Sequence, residues 1–254
     1  MFEHANCREG LGVSVSAQRT DGAAPPMASA VEPRVVCVTG ASGFIAAFIV
    51  EQLLARGHTV HGTVRSLARA AHLREFAGAS ERLKLFEADV TDAASLAAPI
   101  AGAQVVMHTA TPIVIPMEGE EPQTRAEADE QQIGPALDGV VAVIEECKRA
   151  GIKHIVLTSS NAAVSFLESP PPVVDETCWS DTDWLAGRQQ WYTLAKTLQE
   201  RKAWELCTEY GIKLCTVNPP LVWGSVHTTH LNFVSGAPPS LFALEPAAVQ
   251  RGSA

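Results

Sequence analysis

The run Arg34-Val35-Val36-Cys37-Val38-Thr39 is short and β-branched, breaks at Gly40-Ala41-Ser42-Gly43, and resumes as the apolar stretch Phe44-Ile45-Ala46. That order predicts a buried strand, a tight turn and a helix from Phe44 to about Arg56. It narrows the fold to those in which a strand feeds a helix directly. The glycines let backbone N–H groups approach an anion with no Cβ in the way, and the helix points the positive end of its dipole at the same place. A glycine pattern alone also serves ordinary strand-to-helix turns. Here a second strand, His58 to Val64, follows after Gly57, which is the context of a dinucleotide site. Gly40, Ser42, Gly43, Phe44 and Ile45 are therefore candidate cofactor contacts.

Further along, the same alternation continues. A helical stretch spans about Ser66 to Phe76, and a third strand covers Leu83 to Val90. Thr91-Asp92 caps a short helix through about Ala98, and a fourth strand runs from Ala103 to Ala110. A long helical region from about Glu127 to Ala150 carries Ile133, Leu137, Val140, Val141 and Ile144 at helical spacing, with a kink expected at Gly134-Pro135 because proline has no N–H to donate. A fifth strand, Ile152 to Ser160, a helix from Trp191 to Tyr210 and a sixth strand, Lys213 to Asn218, complete the series. Largely apolar strands alternating with helices specify an α/β fold, a doubly wound parallel sheet of the Rossmann type covered on both faces. Ligands of such sheets lie at the carboxyl ends of the strands, so Gly40, Asp89, Ala110 and Ser160 should face one crevice.

A chain of 254 residues with 46% hydrophobic content can bury a full core. Its formal charge of −9, with no basic cluster, argues against a nucleic-acid partner. No apolar run reaches the roughly eighteen residues of a membrane helix, so no membrane association is expected. Cys7, Cys37, Cys147, Cys178, Cys207 and Cys215 form no C-x-x-C pair and read as reduced, mostly buried thiols of a cytoplasmic protein. Residues 1–33 are small, polar and aperiodic and read as a flexible extension, with Met27 an alternative start. Glu3, Glu9 and Asp21 argue against a transit peptide there. His227 and His230 lack a third ligand, and no metal is expected.

Tyr192 and Lys196 are four residues apart and share one helix face. A cation beside a phenol stabilises the phenolate, so the tyrosine's pKa is expected to fall and make it a proton relay. Ser159-Ser160 ends the preceding strand, where a hydroxyl is placed to hold a carbonyl oxygen. The second strand ends at Arg65, with Arg69 one turn later and no carboxylate between. An acidic residue there would select NAD by its ribose hydroxyl, whereas arginine accommodates a 2′-phosphate, so NADP(H) is the expected cofactor.

These motifs together resemble the extended branch of the short-chain dehydrogenase/reductases, within the NAD-dependent epimerase/dehydratase superfamily. The resemblance covers about Val35 to Gly224. Thr39-Gly40-Ala41-Ser42-Gly43-Phe44-Ile45-Ala46 is similar to that branch's glycine turn, and Tyr192 with Lys196 to its catalytic pair. Gly62-Thr63-Val64-Arg65, His108-Thr109-Ala110-Thr111-Pro112, Asp175-Glu176-Thr177-Cys178-Trp179-Ser180-Asp181 and Trp191-Tyr192 narrow it to a subgroup similar to cinnamoyl-CoA reductase and dihydroflavonol 4-reductase. The resemblance implies that Ser160 orients a substrate carbonyl, Tyr192 protonates it, and Lys196 holds the nicotinamide ribose. It implies Asp89 and Val90 against the adenine, Ala110 and Thr111 along the cofactor, and Pro219, with Asn218 and Leu221, at the nicotinamide end.

Three departures stand out. Ala46 replaces a third glycine, and Asp138-Gly139 stands where an Asn-Gly pair is usual, which would put a carboxylate in the support of the catalytic set. Members of the family continue past the sixth strand into a substrate lobe, expected here to be largely missing, with 225–254 an irregular remnant after a 34–224 cofactor domain. The function expected is NADPH-dependent reduction of a small-molecule aldehyde, ketone or thioester. The alternatives are a dinucleotide-binding protein without turnover, and an NAD-dependent epimerase or dehydratase acting on a nucleotide sugar.

Overall fold

The computed structural model describes residues 32–112, 122–222 and 224. The expected extension at 1–33, apart from its last two residues, lies outside that range, as do 225–254 with His227 and His230. Six strands form the sheet: β1 (Val35–Thr39), β2 (Thr59–Val64), β3 (Leu83–Glu87), β4 (Val105–His108), β5 (His154–Thr158) and β6 (Lys213–Val217). Their order is β3-β2-β1-β4-β5-β6, and every pairing is parallel. Parallel neighbours require crossovers, and helices supply them: α1 (Phe44–Ala55), α2 (Ala79–Arg82), α3 (Ala97–Ile100), α4 (Arg125–Ala128), α5 (Gly134–Arg149), α6 (Thr182–Gly187) and α7 (Trp191–Tyr210).

Alternation along β1 sorts its side chains between two cores. Val36 and Val38 pack with Val60, Val64, Ala47, Val50 and Leu54 beneath α1. Cys37 faces the other way and joins Val106, Ile155, Leu157, Val140, Ile144, Cys147, Ala203 and Leu206 between the sheet, α5 and α7. Each such aliphatic side chain contributes about 1.5–3 kcal/mol by leaving water, so the sheet is clamped from both faces. The edge strand β6 alternates half-buried and exposed residues, and Cys215 is exposed rather than buried as expected. Among the described residues β6 is the last strand of the sheet, with a partner on one side only. Val222 and Gly224 beyond it border an apolar groove of about 650 Å³ along Phe44, Phe48, Leu53 and Met107.

Two expected helices are built differently. The stretch before β3 is a 3₁₀ segment, Ala68–Glu75, followed by the short α2. The long helical region divides into α4, a π-helical turn over Asp129–Ile133, and α5. Pro135 cannot donate a backbone bond, and the carbonyl of Asp129 comes so close to Gly134 that a Cβ there would lie 2.6 Å from it. The kink expected at Gly134-Pro135 is thus a widened turn just before it. Of the expected stripe, Ile133, Val140 and Ile144 are buried, while Leu137 and Val141 are half-buried at the margin.

Candidate active site

The order of the strands reverses between β1 and β4, and the turn after β1 is fixed there by side chains. Thr39 Oγ accepts the backbone N–H groups of Thr109 and Ala110, each at 3.1 Å, and pairs with His108 Nδ1 at 2.9 Å. Gly40 adopts φ +66°, and a Cβ on it would stand 3.1 Å from the Cβ of Ala110. Both conditions exclude a larger residue. Gly40 N–H donates to Thr63 Oγ at 3.1 Å and Ala41 N–H to Thr63 O at 2.8 Å, so β2 holds the turn from the other side. The first turn of α1 has no side-chain cap and no acidic residue. Its leading N–H groups have no intrahelical acceptor, and the dipole there is unopposed. Gly40, Ser42, Gly43, Phe44 and Ile45 thus form a cradle whose chemistry fits a pyrophosphate.

The rim of the same edge carries the arginines. Arg65 and Arg69 are exposed at and beyond the end of β2. Asp89, past the end of β3, accepts the Thr91 backbone N–H at 2.9 Å and the Thr91 hydroxyl at 2.8 Å. That backbone bond is the largest influence holding its carboxyl below the usual range, and the Arg65 charge adds to it. Val90 is buried against Gly139, where a Cβ would lie 3.1 Å from Val90 Cγ2. Asp138 is exposed, so the carboxylate expected to intrude on the catalytic support faces away.

Ser160, Tyr192 and Lys196 come together behind this rim. Ser160 follows β5, and its hydroxyl accepts Ala162 N–H at 3.2 Å, opening the 3₁₀ turn Asn161–Ala163. Ser159 N–H donates to Val217 O at 2.9 Å and Asn161 N–H to Pro219 O at 3.0 Å, which ties the serine loop to the chain after β6. Tyr192 and Lys196 occupy the first turns of α7, and helical spacing puts them on one side. Their depths differ: the tyrosine is 41% exposed and the lysine 4%. Burial raises the phenol's pKa, while its hydrogen bond with the Ser160 hydroxyl pulls it back. The expected fall is therefore not what the structure has. The reason is geometric, since the Lys196 ammonium is turned inward to Gln199 Oε1 at 2.7 Å, Thr111 Oγ at 3.2 Å and Thr158 O at 3.5 Å. Burial depresses that ammonium's pKa to about 8, opposed by the charge of Glu200.

Behind these residues α7 buries a polar face that sequence reasoning missed. Thr193, Thr197, Gln199 and Glu200 are all buried. The Glu200 carboxylate accepts Asn218 Nδ2 at 2.6 Å and Trp204 Nε1 at 3.3 Å, and Asn218 Nδ2 also donates to Ser160 O at 3.0 Å. The available signal was position: Gln199 and Glu200 follow Lys196 by three and four residues, hence on its face. Ser180, in the Asp175–Asp181 motif, donates to Ala162 O at 2.7 Å and accepts Phe166 N–H at 2.9 Å, fastening that motif to the serine turn. Of the expected cofactor contacts, Ala110 meets Gly40 and Thr111 meets Lys196. Pro219 sits beside the serine loop, while Arg69 stands on the exposed rim and Leu221 is 48% exposed.

A parallel sheet reversing its order at a glycine turn, with that turn at the carboxyl ends of its strands, defines a dinucleotide-binding domain of the Rossmann type. Residues 36–243 match the NAD dependent epimerase/dehydratase family, and the chain belongs to it. Cinnamoyl-CoA reductase 1 of Petunia hybrida is 42% identical over 206 residues, covering 80% of this chain and 58% of that protein. Among solved structures, vestitone reductase from alfalfa has 31% identity and a TM-score of 0.67 over 79% of this chain and 61% of its own. Gre2 from Candida albicans, solved with NADPH, has 29% identity and a TM-score of 0.65 over 76% and 60%. The chain thus spans about three-fifths of the length of these relatives.

Proposed function

We propose that this protein reduces a small-molecule carbonyl (an aldehyde, ketone or thioester) with NADPH. The observation that carries the reading is the arrangement of the centre: a partly exposed phenol beside a serine hydroxyl, with a buried ammonium behind it. A neutral phenol is the form that can donate a proton to a carbonyl oxygen. The cradle from Gly40 to Ile45 would take the pyrophosphate, Arg65 and Arg69 the 2′-phosphate, Asp89 and Val90 the adenine, and Lys196 the ribose. Ala110 and Thr111 would line the cofactor, with Pro219 and Leu221 at its nicotinamide end. NADPH supplies the hydride when bound. Ser160 Oγ orients the carbonyl oxygen and Tyr192 Oη gives it the proton. The reductases among its relatives support this reading, and the free thiols of Cys37, Cys147, Cys178, Cys207 and Cys215 support a cytoplasmic setting.

Fluorescence titration with NADPH and NADH, followed by an aldehyde, ketone and thioester panel, tests it. NADPH should bind at least about tenfold tighter, consistent with an arginine–phosphate contact, and one panel member should be reduced. Binding without turnover on any member would make this a dinucleotide-binding protein only. NAD retained through purification would favour epimerase or dehydratase chemistry.

A further inference from the structure

Lys196 is held by a residue that the family motif does not include. Gln199 is fully buried one turn along α7, and its Oε1 accepts Lys196 Nζ at 2.7 Å, the shortest of the three contacts the ammonium makes. The other end of the amide is engaged as well: Nε2 donates to Ala136 O of α5 at 3.3 Å and to Thr111 Oγ at 3.5 Å. Reversing the amide would set an NH₂ against an ammonium and a carbonyl against a carbonyl, so this orientation is the only one the chemistry allows. We propose that Gln199 is the positioning residue of Lys196, aiming its ammonium and keeping it charged where the cofactor's ribose is to bind.

An ammonium out of water needs an acceptor for each of its three hydrogens, and Gln199 Oε1, Thr111 Oγ and Thr158 O supply three. A neutral amide also holds the ammonium without forming an ion pair, which leaves it free to turn toward a ribose hydroxyl. Among the described residues the titratable groups around Lys196 are few. His108 on β4 is kept uncharged, its pKa held down to about 3, while Tyr192 and Glu200 lie one turn to either side on α7 and α5 turns Asp138 to solvent. Of the three acceptors of Nζ, Gln199 is the one on the same helix.

The inference rests on Lys196 contacting the cofactor, and the test separates the two. NADPH affinity is measured by fluorescence between about pH 6.5 and 10, a window around the depressed ammonium pKa, for the wild type and Lys196→Met, Gln199→Leu and Gln199→Glu. The wild type should lose affinity as Lys196 discharges near pH 8, and Lys196→Met should lack that transition. Gln199→Leu, which removes an acceptor from the ammonium, should move the midpoint down by about one pH unit, and Gln199→Glu, which puts a carboxylate there, up by about one. Opposite shifts are not what general loosening of the site produces. If Lys196→Met keeps the wild-type transition, the role of Lys196 itself fails. If Lys196→Met abolishes it while the Gln199 variants titrate like the wild type, or both shift the same way, the role of Gln199 is overturned. Should Gln199→Leu not fold, the near-isosteric Gln199→Glu decides alone, an unshifted midpoint overturning the proposal.

Discussion

At the scale of single residues, Gly40 and Lys196 show how differently sequence specifies a site. Gly40 is dictated by backbone geometry: a positive φ and a neighbouring Ala110 that a Cβ would touch. Gly40→Val should lose NADPH binding and destabilise the domain by about 1–2 kcal/mol from the left-handed conformation alone; wild-type affinity in a titration would refute this. That requirement was legible, because a glycine where a strand turns into a helix marks backbone that a side chain would strain. The pairing of Tyr192 with Lys196 on one face was legible too. Its electrostatics were not, since spacing fixes direction around the helix and says nothing about depth. The ammonium lies inside, against Gln199 and Thr111, and the phenol responds to burial and Ser160 instead.

At the scale of elements, all six strands fall in the expected order, each within a few residues of its expected ends, because apolar β-branched runs bounded by glycine and polar residues carry a strong local signal. The short helices do not announce themselves in this way. Neither α6 nor the 3₁₀ turn Asn161–Ala163 has enough residues for a periodic pattern, and both depend on caps and tertiary contacts. The Asp181 carboxylate accepts the N–H groups of Asp183 and Trp184 at 3.0 Å each, opening α6 ahead of Tyr192. Asp181→Ala should cost about 1 kcal/mol, read as a fall in Tm of about 2–4 °C in a domain of this size; an unchanged melt would show that the cap carries no stability. In α7 the hydrophobic pattern is diluted by buried Thr193, Lys196, Thr197, Gln199 and Glu200. A helix whose inner face is polar departs from the packing pattern by which sequence announces a core-facing helix.

For the whole molecule, the doubly wound architecture predicted from alternating strands and helices is the one observed, with the site at the reversal of strand order. One buried group at that reversal contributes to how stability depends on acid pH. Burial, and then the Lys196 charge, hold the His108 imidazole down to about 3 from 6.5. The unfolded chain takes up a proton near its ordinary value and the folded chain does not, so between those values the unfolded state holds more protons. Stability is present above pH 6.5 and is lost as pH falls toward 3, at up to about 1.4 kcal/mol per pH unit. Denaturant midpoints at about pH 4 to 6 should therefore fall less steeply for His108→Asn than for the wild type, by up to one proton; parallel slopes would contradict this. The central claim, that the cradle and the Ser160–Tyr192–Lys196 centre act as one reductase site, is tested most directly by single-turnover oxidation of prebound NADPH in the wild type and Tyr192→Phe with a carbonyl the wild type accepts. NADPH affinity should be equal and the rate lower by about 10²–10⁴-fold in the variant, the usual loss of a general acid. Equal rates from equally loaded proteins would contradict it.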